Sequence, residues 1–399
     1  MYIKQFFIDL KLNICFVCKW LWIAFVLGIV CGIVGALFHI SIDYVTDFRL
    51  SHSWIVWGLP IGGVCIVYLY RLVHLSHEPG TNTIIQSIRQ QEKVPVLLAP
   101  AIFLATIITH LFGGSSGREG AALQIGGSLA TSFGKIIHAD QREMSMLIMC
   151  GMSAVFSALF GTPLTATLFS MEVVSVGVFY YAALVPCLCS SLISFGIAQL
   201  FGCQPTFYQL SIPFQLTPIM SLKLAVFAFI IAAFSIVFVL MMHYSHKSFH
   251  QYFHNPYIRV IMGSFMLMIL VFFFQQRYLG AGMEIVAEAL YHQALPYDFF
   301  MKAIFTAITI GCGFKGGEIV PTFVIGSTLG YVSALLLGID PHLGAAIGIV
   351  GMFCCVINSP LTSLMLGAEM FGIQYLTAMA IVVALCYVLS GYFSLYQAQ

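Results

Sequence analysis

The sequence contains many apolar segments that are too short to cross a membrane. Among them are residues 144–160, 163–176, 319–335 and 342–357, each lying close to glycine, proline or charged residues. A membrane-spanning helix needs about 20 apolar residues. Irregular backbone at membrane depth is tolerated only against protein or beside a polar cavity. We therefore predict an all-α, polytopic integral membrane protein with broken and re-entrant helices.

The composition supports a membrane protein and excludes several other classes. Hydrophobic residues make up 60% of the chain and charged residues only 8%, whereas soluble domains carry about 25% charged residues. The net charge of +1 gives no basic field of the kind that nucleic-acid-binding proteins use. Most of the twelve cysteines lie in apolar segments, which favours buried thiols over a disulfide framework. No metal-spaced cluster or cofactor motif is present, and the twelve histidines suggest no site.

The polar segments divide the chain into four parts. Residues 1–19 contain three lysines and are predicted to form a short cytoplasmic amphipathic helix. A first membrane repeat spans residues 20–200, an external connecting loop residues 201–218, and a second membrane repeat residues 219–399. Within the second repeat, the histidine-rich segment 243–259 is predicted to be a cytoplasmic loop.

An internal repeat relates the two halves. Ile125–Ala130 resembles Ile325–Gly330, which begins 200 residues later, and Pro163–Glu172 resembles Pro360–Glu369. Two repeats that break their helices near the middle of the membrane should meet there and form a binding site. The matched positions of Glu172 and Glu369 predict matched structural roles such as capping. The repeat pattern alone leaves a parallel or an inverted arrangement open.

The strongest candidate site is the stretch Gly117-Arg118-Glu119-Gly120, which opens an apolar segment. Glycine leaves the N–H groups of a helix N-terminus accessible, and that terminus attracts anions. Glu119 is therefore interpreted as a tethered anion that competes with a dissolved one. The alternative is an interfacial glutamate paired with Arg118.

The second repeat has a counterpart at residues 311–321. Here the backbone N–H groups near Ile319 and Val320 could cradle an anion at another helix N-terminus. Glu318 is either an N-cap or a proton-pathway group. Lys315 is either the partner of Glu318 or a surface charge. Phe323 either lines the anion path or packs in the core.

Two further segments offer neutral hydrogen-bond donors. Gly80, Thr81, Asn82 and Thr83 follow a proline breaker, and their side chains could contact an anion or simply cap a helix. Tyr392 and Tyr396, near the end of the chain, could donate to an anion in a pore or belong to an aromatic belt at the membrane interface.

These motifs resemble the chloride channel (CLC) family, and within it the bacterial fluoride/proton antiporter branch. The resemblance rests on Gly-Arg-Glu-Gly-Ala-Ala-Leu-Gln-Ile-Gly-Gly-Ser-Leu-Ala, on Gly-Phe-Lys-Gly-Gly-Glu and on the closing Ser-Leu-Tyr-Gln-Ala-Gln. It implies a CLC-type fold of two inverted half-chain repeats. It also implies a homodimer with one pore per subunit, cytoplasmic termini and a bacterial inner membrane. In this family Glu119 would be the gating glutamate, Tyr396 the pore tyrosine, and Gly80–Ile84 the selectivity loop.

The chain also departs from the family pattern. Val320 stands where fluoride-type members often carry threonine, and Val173 where chloride/proton members often carry a second, inner glutamate. The resemblance implies anion transport, with fluoride or chloride and protons as the transported ions. We expect fluoride/proton antiport gated by Glu119, with a chloride channel or chloride/proton exchanger of the same fold as the alternative. A membrane enzyme using Glu119 and a histidine is disfavoured, because no Ser/His/Asp set is present.

Overall fold

The chain folds almost entirely into helices. The computed structural model describes residues 2–75, 80–90 and 94–396, and within these ranges one isolated two-residue bridge is the exception to helical regular structure. The first half contains α1 (Tyr2–Ser51), α2 (Leu59–Leu72), α3 (Thr81–Gln90), α4 (Leu98–Phe112), α5 (Glu119–Ile136), α6 (Gln141–Phe160), α7 (Pro163–Glu172) and α8 (Leu184–Leu200). The second contains α9 (Pro218–Tyr252), α10 (Pro256–Phe274), α11 (Met283–Tyr291), α12 (Asp298–Gly311), α13 (Ile319–Leu337), α14 (Pro341–Ile357), α15 (Pro360–Phe371) and α16 (Leu376–Ser390).

The two halves repeat the same order of eight helices, which confirms the internal repeat. Helices α4, α5 and α6 begin 200 residues before α12, α13 and α14. The first turns of α5 and α13 meet, because the backbone N–H of Val320 donates to the carboxylate of Glu119. Helix N-termini that meet head to head are what an inverted repeat produces.

Long spans surround a buried centre of helices. In the described ranges, eight helical segments are long and apolar enough to cross a membrane, and the share of each that is buried ranges from 33% for α10 to 83% for α13. Helices α4, α7, α12 and α15 have 15, 10, 14 and 12 residues, too few to cross alone. The short helices are stable at this depth because they pack against the spans.

The structure corrects two of the predicted boundaries. Helix α9 continues to Tyr252, so residues 243–252 are helical and only 253–255 connect it to α10. The prediction of a loop was wrong because polar residues were taken to end the helix, whereas α9 is long enough to extend beyond the apolar layer. Helix α1 is continuous from Tyr2 to Ser51, so no break separates residues 2–19 from the first span.

The segment between α8 and α9 has no helix or strand, and it is packed against both repeats. The N–H of Thr206 donates to the carbonyl of Phe160 at 2.9 Å, and that of Tyr208 to the carbonyl of Met370 at 2.8 Å. The N–H of Ile212 donates to the Tyr375 hydroxyl at 2.9 Å. These bonds satisfy backbone groups that have no helix to supply partners.

Two glutamates cap helices of the opposite repeat. Glu172, which ends α7, accepts hydrogen bonds from the N–H of Leu361 (3.1 Å) and from the N–H and hydroxyl of Thr362 (2.8 and 2.6 Å) in the first turn of α15. Glu369 on α15 accepts the corresponding bonds from Leu164 (3.0 Å) and Thr165 (2.8 and 2.6 Å) at the start of α7. The predicted matched roles of these glutamates are confirmed, and each one joins the two repeats.

Glycines let the central helices approach closely. A Cβ at Gly126 on α5 would overlap the carbonyl oxygen of Gly151 on α6. At the equivalent place in the second repeat, a Cβ at Gly326 on α13 would lie 2.5 Å from the carbonyl oxygen of Gly348 on α14. Small residues at such crossings let helix backbones pack directly in a membrane protein.

We expect Gly126→Ala to destabilise the protein, because the new methyl group meets backbone that cannot move aside. Overpacking of this kind costs about 1–3 kcal/mol. The matched control is Gly196→Ala in α8, where nothing lies within 4 Å of the added methyl group. Size-exclusion chromatography of heated, detergent-solubilised protein should give a lower melting temperature for Gly126→Ala only. Equal melting temperatures would contradict the close crossing.

Candidate functional site

Glu119 lies at the centre of the molecule, where the two repeats meet. It is the first residue of α5 and its side chain is fully buried. Its carboxylate accepts hydrogen bonds from the backbone N–H of Arg118 at 2.6 Å and from that of Val320. A carboxylate from one repeat therefore lies at the N-terminus of α13 in the other, where the helix dipole favours an anion.

A pair of glycines brings the two N-termini together. Gly117 and Gly317 form an antiparallel bridge, in which each N–H donates to the carbonyl of the other at 2.7 Å. A Cβ at Gly317 would lie 2.8 Å from the Glu119 carboxyl carbon, and one at Gly120 would lie 3.2 Å from the Gly317 Cα. Larger residues at these positions would force the two loops apart.

The Arg118 side chain turns away from Glu119. Its guanidinium donates to the Asp43 carboxylate on α1 at 3.2 Å, and Asp43 also contacts His39 at 3.0 Å. The Arg118 side chain therefore forms its ion pair with Asp43 rather than with Glu119, on which it acts only electrostatically. Arg118 instead fixes the loop before α5 against α1.

A cavity of about 640 Å³, lined largely by polar residues, lies beside α5 and the loop that carries Glu318. This space is called the polar cavity below. The residues that line it include Gly80, Thr81, Asn82, Thr83, Gln124, His243, His246, His250, His254, Arg259, Lys315, Glu318 and Tyr396. The structure thus brings the segment 80–83 together with Glu318 and Tyr396, which are far apart in sequence. The Thr81 hydroxyl, at 3.5 Å from the Gly120 carbonyl, links the cavity wall to the Glu119 loop.

Glu318 directly precedes α13 but does not cap it with its side chain. Glu318 therefore occupies the N-cap position without making the capping hydrogen bond, and it also lines the polar cavity. Lys315 places its ammonium group 4.9 Å from the centre of the Tyr70 ring, a cation–π contact. Lys315 also lines the polar cavity, beside Glu318.

Aromatic side chains form the wall behind Val320. Phe323 is fully buried, with its ring centre 6.4 Å from that of Phe160 and 5.7 Å from that of Phe353. Tyr396 is buried and, within the described part of the chain, its hydroxyl has no hydrogen-bond partner. Tyr392 is 90% exposed and does not line the polar cavity. Of the two tyrosines, only Tyr396 can donate into the site.

Two buried cations, Lys302 and Arg49, were not predicted from the sequence. Lys302 on α12 is fully buried, donates to the carbonyls of Tyr278 (3.1 Å) and Gly280 (2.7 Å), and interacts electrostatically with Glu119. Arg49 on α1 donates to the carbonyl of His110 at 3.0 Å. Lys302 could have been identified as a candidate from the sequence, because a charged residue inside an apolar membrane segment such as 298–311 usually has a function.

The comparisons with known proteins agree with this geometry. A family model described as voltage gated chloride channel matches residues 62–391. The chain belongs to the CLC family. A chloride/fluoride channel protein from Pseudomonas syringae pv. tomato is 32% identical over 96% of this chain and 87% of its own length. An H(+)/Cl(-) exchange transporter ClcA from Vibrio campbellii is 23% identical over 92% of this chain and 84% of its own length.

Solved CLC structures share the whole fold. A CLC-type fluoride/proton antiporter matches with a TM-score of 0.93 and 33% identity, covering 96% of this chain and 98% of its own. A slow cyanobacterial Cl-/H+ antiporter matches with a TM-score of 0.80 and 17% identity, covering 93% and 94%. The resemblance read from the sequence is confirmed, and the protein is a multi-pass membrane protein of the CLC type.

Proposed function

We propose that this CLC protein exchanges fluoride for protons across the membrane and that Glu119 is its gate. The observation that carries the proposal is the position of the Glu119 carboxylate at the N-terminus of α13. A carboxylate that accepts a hydrogen bond from the Val320 N–H occupies the place in which a dissolved anion would bind. Glu119 and the transported anion are therefore alternatives at one site.

The exchange follows from the charge of Glu119. While ionised, the carboxylate fills the site and excludes the anion. Protonation removes its charge and weakens its hold on the two N–H groups, so the side chain leaves and an anion binds to Val320 and the α13 N-terminus. When the anion departs, Glu119 returns and loses its proton on the opposite side. Each cycle thereby moves an anion one way and a proton the other.

The hydrogen-bond donors around the site favour fluoride as the transported anion. It is small and strongly hydrated, so it must be compensated by several close N–H and O–H donors. The Asn82 amide and the Thr81 and Thr83 hydroxyls line the polar cavity with the Tyr396 hydroxyl. The relatives named for fluoride are also more similar to this chain, at 32% and 33% identity, than those named only for chloride.

The proposal extends to assembly and location. By similarity to the family, we propose a homodimer with one pore in each subunit, placed in the inner membrane of a bacterium with both termini in the cytoplasm. The domain boundaries predicted from the sequence, with a connecting segment at 201–218 on the external face, belong to the same proposal.

Ion fluxes from purified protein in liposomes test the function. Liposomes loaded with fluoride or with chloride are diluted into halide-free buffer, and external halide and internal pH are recorded together. We expect fluoride efflux to exceed chloride efflux and to acidify the liposome interior as protons move inward. Equal or faster chloride efflux would contradict the fluoride assignment.

One structural feature favours a second candidate, uncoupled anion conduction. Val173, directly after Glu172, is fully buried and apolar, so it cannot carry a proton where chloride/proton members often have a glutamate. Under this alternative the halide leaves the liposomes while the internal pH stays constant. The same recording therefore separates the two candidates.

A further inference from the structure

Four histidines form a stripe along one wall of the polar cavity. His243, His246 and His250 lie near the end of α9, and His254 follows in the short connection to α10. Spacings of three and four residues place helical side chains on the same face. At a rise of about 1.5 Å per residue the three helical members extend over roughly 10 Å. All four line the cavity that Glu318 also lines, and we call them the histidine stripe.

The stripe combines exposed and half-buried positions. His246 and His254 are exposed, whereas His243 and His250 are half-buried. The rings of His246 and His250 stack with their centres 4.0 Å apart. Within the described residues, the Nε2 atom of His243 is buried and has no hydrogen-bond partner. A ring nitrogen in the cavity wall is therefore available to take or give a proton.

The hydrogen bond of His250 defines which of its nitrogens is basic. Nδ1 lies 2.9 Å from the His246 carbonyl oxygen, and because a carbonyl only accepts, Nδ1 must carry a hydrogen. The neutral ring therefore leaves Nε2 as its proton acceptor. This intrahelical bond fixes the tautomer, as hydrogen bonds to one ring nitrogen commonly do.

We propose that the histidine stripe is a proton relay between the aqueous mouth of the polar cavity and Glu318. The proposal rests on the proposed proton coupling and assigns the route by which protons reach the centre. A hydronium ion protonates an outer imidazole and becomes water. The imidazolium passes a proton to the next imidazole, and the innermost member passes one to the Glu318 carboxylate and returns to its neutral form.

The charged surroundings of the stripe are consistent with a relay of neutral and protonated rings. The other titratable or charged groups that line the cavity are Arg259 on α10, Lys315 and Glu318 before α13, and Tyr396. The two cations disfavour keeping all four imidazoles protonated together, whereas Glu318 attracts the proton at the inner end.

The test replaces all four histidines by glutamine and measures fluoride-driven proton uptake into liposomes. A positioned proton-transfer group commonly contributes about 10²–10⁴-fold, and water in the cavity can replace part of this. We therefore expect proton uptake to fall at least about tenfold, with imidazole added to the buffer restoring part of the rate. The control His52→Gln/His292→Gln changes two exposed histidines outside the cavity and should keep the wild-type rate. The single changes His246→Gln and His254→Gln, at exposed positions, should each slow uptake in folded protein.

The outcomes separate this relay from the proposed function. If the wild-type protein takes up protons and the quadruple variant takes them up at the same rate, the relay is wrong and the proposed function stands. A slow quadruple variant that imidazole does not rescue and that has also lost fluoride binding would make the histidines structural and would likewise overturn it. Wild-type protein that moves fluoride without protons would overturn both proposals.

Discussion

Replacing Glu119 with alanine should abolish proton movement while leaving anion movement intact. Without the carboxylate, the anion has no competitor at the N–H of Val320, and the fully buried centre loses the group that is proposed to carry the proton. We expect proton uptake driven by a fluoride gradient to fall by at least about 100-fold, the lower range for loss of a positioned proton-transfer group. Fluoride efflux should continue. Simultaneous recording of halide and pH in liposomes measures both.

The matched control for this prediction is Glu284→Gln. Glu284 also lies in the first turn of a helix, α11, but its side chain is exposed. The Glu284→Gln variant should therefore exchange fluoride and protons at the wild-type rate. Glu119→Gln provides an isosteric comparison and should be uncoupled in the same way, because an amide cannot release the proton. Normal proton uptake in Glu119→Ala would remove Glu119 from the transport cycle.

The largest effect on stability is expected from the glutamates that cap the opposite repeat. In Glu172→Ala, the N–H groups of Leu361 and Thr362 and the Thr362 hydroxyl lose their acceptor. Each buried donor left without a partner costs about 1–3 kcal/mol. We expect a loss of several kcal/mol, visible as a clearly lower melting temperature in detergent. Glu369→Ala should cost less, because Glu369 is half-buried whereas Glu172 is buried.

A capping glutamate whose side chain is 25% exposed is the control for these two substitutions. Glu143 is part of the capping box at the start of α6, where its carboxylate accepts from the Asp140 N–H, and it also contacts Lys19. Part of its side chain is in contact with solvent, so water can replace part of the lost hydrogen bonding. Glu143→Gln should therefore change the melting temperature only slightly. A drop as large as that of Glu172→Ala would show that burial is not the cause.

The positions of most short helices could be predicted from the sequence because glycine and proline mark their ends. Gly161 and Gly338 have positive φ angles of 66° and 62° where α6 and α13 end, and Pro163 and Pro360 begin α7 and α15. The half-chain repeat was visible for the same reason, since both copies need the same breaks. These features are local, and a local pattern in the sequence is enough to identify them.

Contacts between the repeats could not be predicted in the same way. Matched roles for Glu172 and Glu369 could be expected. Their hydrogen-bond partners, however, lie some 190 and 205 residues away in sequence, and no local sequence pattern identifies these partners. The head-to-head position of Glu119 and Val320 likewise depends on how the two halves pack. The histidine stripe was missed for a different reason. Its spacing of three and four residues was present, but a polar segment was interpreted as a loop.

Fluoride binding by wild-type protein and by Glu119→Gln, measured by isothermal titration calorimetry, tests most directly whether Glu119 is a tethered anion. Glutamine keeps the size of the side chain and removes the charge that competes for the α13 N-terminus. We predict that Glu119→Gln binds fluoride more tightly than the wild-type protein does at neutral pH, and that the two affinities approach each other as the pH falls and Glu119 becomes protonated. Equal affinities at every pH, or weaker binding by Glu119→Gln, would contradict competition between Glu119 and the anion for one site.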